Sequence, residues 1–323
     1  MKRTRITDQL TFLEPDDMRL FKACAGVMIQ STRKLVIDAN MGPETAAFLH
    51  AENPQTAIIS HYHLDHGVWG TVAQDHTQAE VFIPSGEERY LTEIDYFLDH
   101  TAGPFGLVEP WKQFSVAGCG YREIERYSSY DAGCSFSDRR MTITCLDTTG
   151  HSPSHRSFYF PEDKVLFTGD MGVDRFGPWY GWSECDLRYI VASILKLRSL
   201  DVEVLLTSHG GMLTSNIGTA WDHALRLLLE RERGVATRLG KGLSPEAIVA
   251  EGIFFPHKSQ VPEPMRSFLT MWDTAMFDHH RKLIEQGGLV RLFPELTRLV
   301  SDPPLKKTKA KRQRPTRTTS GSD

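Results

Sequence analysis

The chain has 323 residues, 40% of them hydrophobic and 24% charged, and a formal net charge of −4. These values are typical of a globular protein of one or two domains and exclude a low-complexity or fibrous chain. No stretch approaches the roughly 20 uninterrupted apolar residues that cross a bilayer, so we expect no membrane partner. The basic N-terminus is followed by acids instead of an apolar run, which predicts no export signal and a cytoplasmic location.

The cysteines are odd in number and show no CxxC spacing. They are Cys24, Cys119, Cys134, Cys145 and Cys185. This pattern favours free thiols in a reducing compartment over a disulfide framework or a zinc knot. A disulfide bond between Cys119 and Cys134 is the alternative to five free thiols.

Short apolar runs alternate with helical stretches from Leu35 onward, which predicts mixed α/β construction. Five of these runs end close to a side chain that can bind a metal. They are residues 35–37 before Asp38, 57–60 before His61, 141–146 before His151, 165–168 before Asp170, and 202–207 before His209. Residues 158–160 and 165–167 should form a β-hairpin that brings His151 near Asp170. We therefore expect one site at the carboxyl ends of several strands.

The remaining segments predict three further features of the chain. Residues 85–133 contain no ligand motif and are interpreted as an insertion, helical at 87–99, that could cover the site. From about Ile217 the apolar spacing becomes helical, with a helix start at Ser244-Pro245-Glu246 and a last helix near 265–286. We expect a first domain at 1–216, a helical subdomain at 217–300 and a tail at 301–323.

The segment from His61 to His66 carries three histidines and an aspartate within six residues. If it continues a strand, His61 and His63 share a face, because side chains two apart point the same way. His66 then points elsewhere, which suits a second ion with Asp65. Imidazole and carboxylate together suit zinc, iron or manganese.

With these motifs the chain resembles the metallo-β-lactamase superfamily, whose signature is HxHxDH followed by a distant His, an Asp after a strand and a final His. The matching elements are Thr149-Gly150-His151, Gly169-Asp170 and Ser208-His209-Gly210. The resemblance covers roughly residues 20–215 and includes Asp38. It implies an α/β fold, an αββα four-layer sandwich followed by the helical subdomain.

The resemblance also implies how the ligands divide between two divalent metal ions, for which zinc is favoured over iron or manganese. His61, His63 and His151 would hold one ion, and Asp65, His66 and His209 the other. Asp170 would bridge the two ions, and Asp65 and Asp170 would be the catalytic carboxylates. Asp38 would orient a ligand histidine, and His155 is interpreted as a structural neighbour instead of a ligand. His223 and His257 are the alternatives to His209.

The function implied is hydrolysis of an ester, thioester or lactone of a small molecule by a hydroxide that bridges the metals. This places the chain on the glyoxalase II, lactonase and PqsE-like thioesterase side of the family. Aromatic residues in the loop 174–182 could line an apolar pocket or pack in the core. Three alternatives stay open, namely a mononuclear iron enzyme similar to persulfide dioxygenases, a phosphodiesterase, and a regulatory or binding protein that retains the metal site.

The last residues, 303–323, hold seven Lys or Arg against one acid, which leaves the remaining chain at −10. A tail of this composition cannot form a core of its own. We expect it to be solvated and disordered, and it is the one segment that could contact nucleic acid. A homodimer is the default expectation for the folded part.

Overall fold

The computed structural model of the protein describes residues 1–17, 21–137 and 140–301. Seven strands form a first sheet in sequence order. They are β1 (Lys2–Arg5), β2 (Leu10–Glu14), β3 (Gly26–Gln30), β4 (Lys34–Ile37), β5 (Thr56–Ile58), β6 (Glu80–Pro84) and β7 (Ser128–Tyr130). Strands β1 to β4 pair antiparallel, whereas β4 to β7 pair parallel. The parallel half therefore brings the carboxyl ends of β4, β5 and β6 to one edge.

Five strands form a second sheet in the spatial order β12-β11-β10-β9-β8. They are β8 (Thr144–Asp147), β9 (Arg156–Phe160), β10 (Val165–Phe167), β11 (Val204–Thr207) and β12 (Gly211–Leu213). Only β10 and β11 pair parallel; the other pairs are antiparallel. The predicted β-hairpin is confirmed as β9 and β10.

The two sheets face each other across an apolar core. Leu10 and Phe12 of β2 pack in the same buried cluster as Phe158 and Phe167 of the second sheet. Leu13, the next residue along β2, lies in the other buried cluster of the molecule. This alternation is the one expected of strands buried on both faces.

Helices pack on the outer faces of the sheets and on one another. They are α1 (Thr45–Glu52), α2 (Leu64–Gly67), α3 (Trp69–His76), α4 (Glu88–Thr92), α5 (Ile94–Thr101), α6 (Val108–Gln113), α7 (Leu187–Arg198), α8 (Ile217–Gly240), α9 (Pro245–Ala250), α10 (Met265–Glu285), α11 (Leu289–Leu292) and α12 (Thr297–Ser301). The architecture is the predicted αββα sandwich with a helical C-terminal part. In the described ranges, no helix is long and apolar enough to cross a membrane.

The structure corrects two predicted elements. The strand predicted at 141–146 begins at Thr144, because the N–H of Ile143 is taken by the Ser137 hydroxyl at 2.9 Å. The helix predicted at 87–99 is interrupted at Glu93, whose backbone is extended. The side chain of Glu123 accepts the N–H of Ile94 there, at 2.8 Å. In both places a side chain from outside the element takes a main-chain N–H group, 6 residues away for Ser137 and 29 residues away for Glu123, which the apolar periodicity does not reveal.

Several other predictions agree with the structure. α8 begins at Ile217, α9 begins after the N-cap Ser244, and the last long helix ends at Glu285. All five cysteines are free. Cys134 lies opposite Cys145, whose N–H donates to the Cys134 carbonyl at 3.2 Å. Two predictions are not among these agreements: the range 85–133, predicted as an insertion, contributes β7 to the first sheet, and the basic tail at 303–323 lies outside the described residues.

Candidate metal centre

The site lies where both sheets present the carboxyl ends of their strands. Two main-chain hydrogen bonds join the sheets there, from Ala25 N–H to the Ser208 carbonyl at 2.9 Å and from Arg156 N–H to the Ser60 carbonyl at 3.0 Å. The loops that follow β5, β8, β10 and β11 all enter this region. Side chains distant in sequence therefore converge on one place.

A first cluster joins His61, His63, His151 and Asp170, whose ligand atoms all lie within 4.8 Å of one another. His61 Nε2 is 3.1 Å from His63 Nδ1 and 3.2 Å from His151 Nε2. His63 thus turns its Nδ1 inward. The Nδ1–H of His151 donates to the Trp179 carbonyl at 2.9 Å, which leaves the lone pair on Nε2.

A second cluster joins Asp65, His66, Asp170 and His209 under the same 4.8 Å limit. His209 Nε2 lies 3.2 Å from Asp65 Oδ2 and 3.3 Å from Asp170 Oδ2. The side chain of His209 is 28% exposed and that of Asp170 13%, whereas Asp65 and His66 are buried. The site therefore opens to solvent beside His209.

Asp170 belongs to both clusters. Its Oδ2 lies 3.9 Å from His61 Nε2 and 3.7 Å from His151 Nε2, and its Oδ1 lies 3.2 Å from His66 Nε2. A carboxylate between two groups of imidazoles can contact an ion on each side.

The polar atoms of the site fit metal ions better than they fit each other. The buried atoms His66 Nε2 and Asp170 Oδ1 lie 3.2 Å apart without a hydrogen bond between them, and neither has another hydrogen-bond partner among the described residues. Around His61 Nε2, two further imidazole nitrogens lie at contact distance, and three lone pairs cannot be satisfied by shared protons alone. Buried polar atoms without partners are costly, and cations coordinated by neutral imidazole and carboxylate would satisfy them.

The histidines of the two clusters differ in their titration behaviour. Burial, reinforced by the neighbouring imidazoles, lowers the pKa of His61 and of His63 well below the usual range. Burial acts against the ionised form of Asp170, but His209 and His66 outweigh it and hold the pKa of Asp170 well below its ordinary value. Burial disfavours the charged forms of His66 and His209, but the carboxylates around them, with Cys24 beside His66, raise the pKa of both well above its usual range. His61 and His63 are therefore ready to bind a metal as neutral imidazoles, whereas a metal must displace a proton from His66 and His209.

The local structure of the first motif differs from the sequence prediction. β5 ends at Ile58, so His61 and His63 do not share the face of a strand, and Asp65 and His66 lie on the short helix α2. The reason is that main-chain N–H groups of this segment donate to two carboxylates instead of to a neighbouring strand. Asp38 Oδ1 accepts the N–H of Ser60 at 2.9 Å, and Glu87 Oε2 accepts that of Tyr62 at 2.6 Å.

Asp38 contacts a ligand histidine, as the resemblance implied. Its Oδ2 accepts a hydrogen bond from His66 Nδ1 at 2.9 Å, and its side chain is fully buried. The residue has a φ of +50°, a left-handed conformation that Asp tolerates better than most residues. This bond leaves the lone pair of His66 on Nε2, facing Asp170.

His155 lies behind the clusters and contributes no atom to them. Its Nε2 accepts the main-chain N–H of Asp170 at 3.1 Å, and its Nδ1 contacts the Thr148 hydroxyl at 2.8 Å. Gly169 has a φ of +57°, and a Cβ there would lie 2.6 Å from His155 Nε2. The Gly-Asp sequence therefore allows His155 to approach the Asp170 backbone.

Glu87 is a fully buried carboxylate that the sequence interpretation missed. Besides the N–H of Tyr62, it accepts the Ser152 hydroxyl at 2.5 Å and the Ser154 N–H at 2.6 Å. It therefore joins the loop of His61 and His63 to the loop of His151. Burial raises the pKa of Glu87 to about 7, although these hydrogen bonds oppose the shift. The one signal in the sequence is its place after β6, at the same edge of the sheet.

The aromatic loop 174–182 divides between core and site. Tyr180 and Trp182 are buried, whereas Trp179 is only partly buried. The Trp179 ring lies 5.3 Å from the ring of His63 and 5.8 Å from that of His151. Trp179 is thus an aromatic wall beside the first cluster.

The remaining candidates lie away from the centre. Four large apolar residues of α10 are buried in the core, namely Met271, Trp272, Met276 and Phe277. His223 and His257, the alternatives to His209, are exposed and belong to neither cluster.

Fold and site together define a metal-dependent hydrolase of the αββα class. The model of the metallo-beta-lactamase superfamily matches residues 23–209, and the chain belongs to this family. The match spans both ligand clusters. It ends at His209 and leaves the C-terminal helices outside.

Two known proteins are similar in sequence to parts of the chain. It is 28% identical over 208 residues to the probable metallo-hydrolase YflN of Bacillus subtilis (strain 168). This alignment covers 56% of the chain and 76% of that protein. The chain is 25% identical over 148 residues to the lactamase-like protein notP of Aspergillus sp. (strain MF297-2), covering 44% of the chain and 42% of that protein. The second match thus spans less than half of the fungal protein.

Solved structures share the fold at low identity. A metallo-beta-lactamase family protein from Thermus thermophilus aligns with a TM-score of 0.63 and 19% identity, over 88% of the chain and 95% of that protein. A beta-lactamase domain protein from Burkholderia ambifaria aligns with a TM-score of 0.68 and 15% identity, over 88% and 89%. Both alignments extend beyond the family match into the C-terminal helices.

Proposed function

We propose that this protein is a dinuclear metal-dependent hydrolase of small-molecule esters, thioesters or lactones. His61, His63 and His151 hold one divalent ion, Asp65, His66 and His209 hold the second, and Asp170 bridges them. The observation that carries the proposal is the pair of four-residue clusters that share Asp170. A mononuclear iron enzyme would need only one of these two clusters.

Zinc is the ion that we propose, with iron and manganese as alternatives, because the ligands are imidazoles and carboxylates. Two such ions supply a hydroxide nucleophile at neutral pH and polarise a substrate carbonyl. Asp65, whose Oδ2 faces His209, orients the nucleophile or accepts its proton. His151 and His66 are held with their Nε2 lone pairs inward by Trp179 and Asp38.

Two features support an uncharged ester, thioester or lactone over a phosphodiester. Trp179 presents a partly exposed aromatic surface beside the first cluster, which suits an apolar group of a substrate. The chain without its tail carries a net charge of −10, which disfavours the approach of a polyanion.

The test combines metal analysis with a panel of thioester, lactone, carboxyl-ester and phosphodiester substrates. We expect two ions per chain and turnover within the first three classes. Asp170→Ala should retain about one ion and lose at least about 100-fold in kcat/KM. A variant that keeps both ions and full activity contradicts the proposal, as does a wild-type chain with one iron and no hydrolysis. Deletion of 303–323 should leave turnover unchanged.

A further inference from the structure

The orientation of His151 depends on a main-chain atom of another loop. Its Nδ1–H donates to the carbonyl of Trp179 at 2.9 Å. Because the acceptor belongs to the backbone, its position is set by the course of the loop 174–182 and not by any side chain of Trp179. Whatever fixes this loop also fixes the direction of His151 Nε2.

A side chain of the C-terminal helix α8 holds this loop. Arg231 Nη1 donates to the Pro178 carbonyl at 2.6 Å, and its Nη2 donates to the Phe176 carbonyl. The guanidinium also lies over the ring of Phe176, 4.5 Å from its centroid. Among the described residues no carboxylate forms an ion pair with Arg231. Its donors are therefore directed to the loop.

The loop is fitted closely to the same helix and to α10. Gly177 has a φ of +80°, and a Cβ there would lie 2.5 Å from Leu227 of α8. The hydroxyl of Tyr180 contacts His280 Nε2 of α10 at 2.7 Å. Trp179, whose carbonyl orients His151, thus lies between Gly177, which packs against α8, and Tyr180, which contacts α10.

We propose that Arg231 is a positioning residue for the metal centre, which holds the carbonyls of Phe176 and Pro178 and thereby fixes the Trp179 carbonyl that orients His151. The inference rests on the proposed metal site but concerns a residue outside the family match. An arginine is required because its planar fork reaches two carbonyls at once, whereas a lysine ammonium is a single point donor. The C-terminal helices thus contribute to metal binding without supplying a ligand.

The experiment compares Arg231→Lys with Arg238→Lys, a substitution on the same helix whose guanidinium contacts Glu251 and the Gly234 carbonyl instead. Co²⁺ is titrated into the metal-free full-length proteins in competition with a chelator, and unfolding in urea is measured on the same samples. We expect one of two binding steps to weaken about tenfold in Arg231→Lys and neither to change in Arg238→Lys. Unfolding of the two metal-free variants should differ little.

Equal Co²⁺ affinities in the two variants overturn the inference. It is also overturned if both binding steps of Arg231→Lys weaken equally and its free energy of unfolding falls with them. If Arg231→Lys does not fold, Arg231→Gln carries the same test, because its single amide nitrogen cannot replace the two guanidinium nitrogens that donate to the Pro178 and Phe176 carbonyls. One weakened step then supports the inference, and two unchanged steps overturn it. A wild-type chain that binds fewer than two Co²⁺ ions contradicts the proposed function, independently of Arg231.

Discussion

Glu87 Oε2 accepts the main-chain N–H of Tyr62 at 2.6 Å, between the two histidines that begin the first motif. Its other oxygen accepts donors from Ser152 and Ser154, next to His151. One buried carboxylate therefore sets the distance between two ligand loops. Substitution of residues that hold metal ligands in this way typically costs about 10- to 100-fold in metal affinity or activity.

Glu87→Gln should weaken binding of the ion at His61, His63 and His151 by about 10-fold or more, because an amide NH₂ would face a main-chain donor. The measurement is a chelator competition for each ion. Asp273→Asn is the matched control: Asp273 is also fully buried but accepts from Phe254 and Lys258, away from the site. Equal affinities in Glu87→Gln and wild type would show that the contact does not position the loops.

Asp38→Asn should weaken the ion at Asp65, His66 and His209 selectively. If the remaining oxygen keeps the Ser60 N–H, the new NH₂ faces His66 Nδ1 and favours the tautomer with its proton on Nε2, which cannot bind a metal. Elemental analysis should find about one ion per chain at metal concentrations that saturate the wild type. Asp147→Asn, a half-exposed carboxylate at the end of β8, serves as the control, and retention of both ions by Asp38→Asn would refute the expectation.

Gly169→Ala should reduce both stability and metal occupancy. The left-handed backbone costs about 1 kcal/mol for alanine, and the new methyl group would displace His155 from the Asp170 N–H. Gly106→Ala separates the two effects, because Gly106 has a φ of +68° but no atom within 4 Å of an added Cβ. Thermal unfolding and metal content are the measurements. We expect both variants to lose stability and only Gly169→Ala to lose metal; similar metal contents would contradict the steric argument.

Glu184→Gln should change how stability depends on pH. Burial raises the pKa of Glu184 from 4.5 to about 7, although the hydrogen bond from the Tyr62 hydroxyl opposes the shift. The folded chain then binds more protons than the unfolded chain between these values, so this carboxyl makes stability fall as pH rises from about 4.5 to 7.

Glutamine does not titrate, so the variant lacks this loss of stability. The difference in free energy of unfolding, Glu184→Gln minus wild type, should therefore become more positive as the pH rises from 5 to 8. We expect a gain of about 1–3 kcal/mol, measured by urea unfolding of the metal-free proteins at several pH values. Parallel curves for the two proteins would exclude a raised pKa for Glu184.

The sequence by itself determined the fold class and the residues that converge. The apolar runs that precede Asp38, His61, Asp170 and His209 are short enough for strands, and parallel strands place the loops after them at one edge of the sheet. The hairpin that joins His151 to Asp170 was predictable for a similar reason, since its pattern and its turn are both local. These features depend on residues that are neighbours in the chain.

Tertiary structure alone decided how the ligands are held. Alternation on a strand was the wrong reason for pairing His61 with His63, because the carboxylates of Asp38 and Glu87 capture the main-chain N–H groups there. Trp179, Tyr180 and Trp182 look alike in sequence, yet only the first remains partly exposed at the site. Arg231 reaches the centre through two carbonyls more than 50 residues away. Such contacts depend on geometry between distant elements, which neither periodicity nor motif spacing encodes.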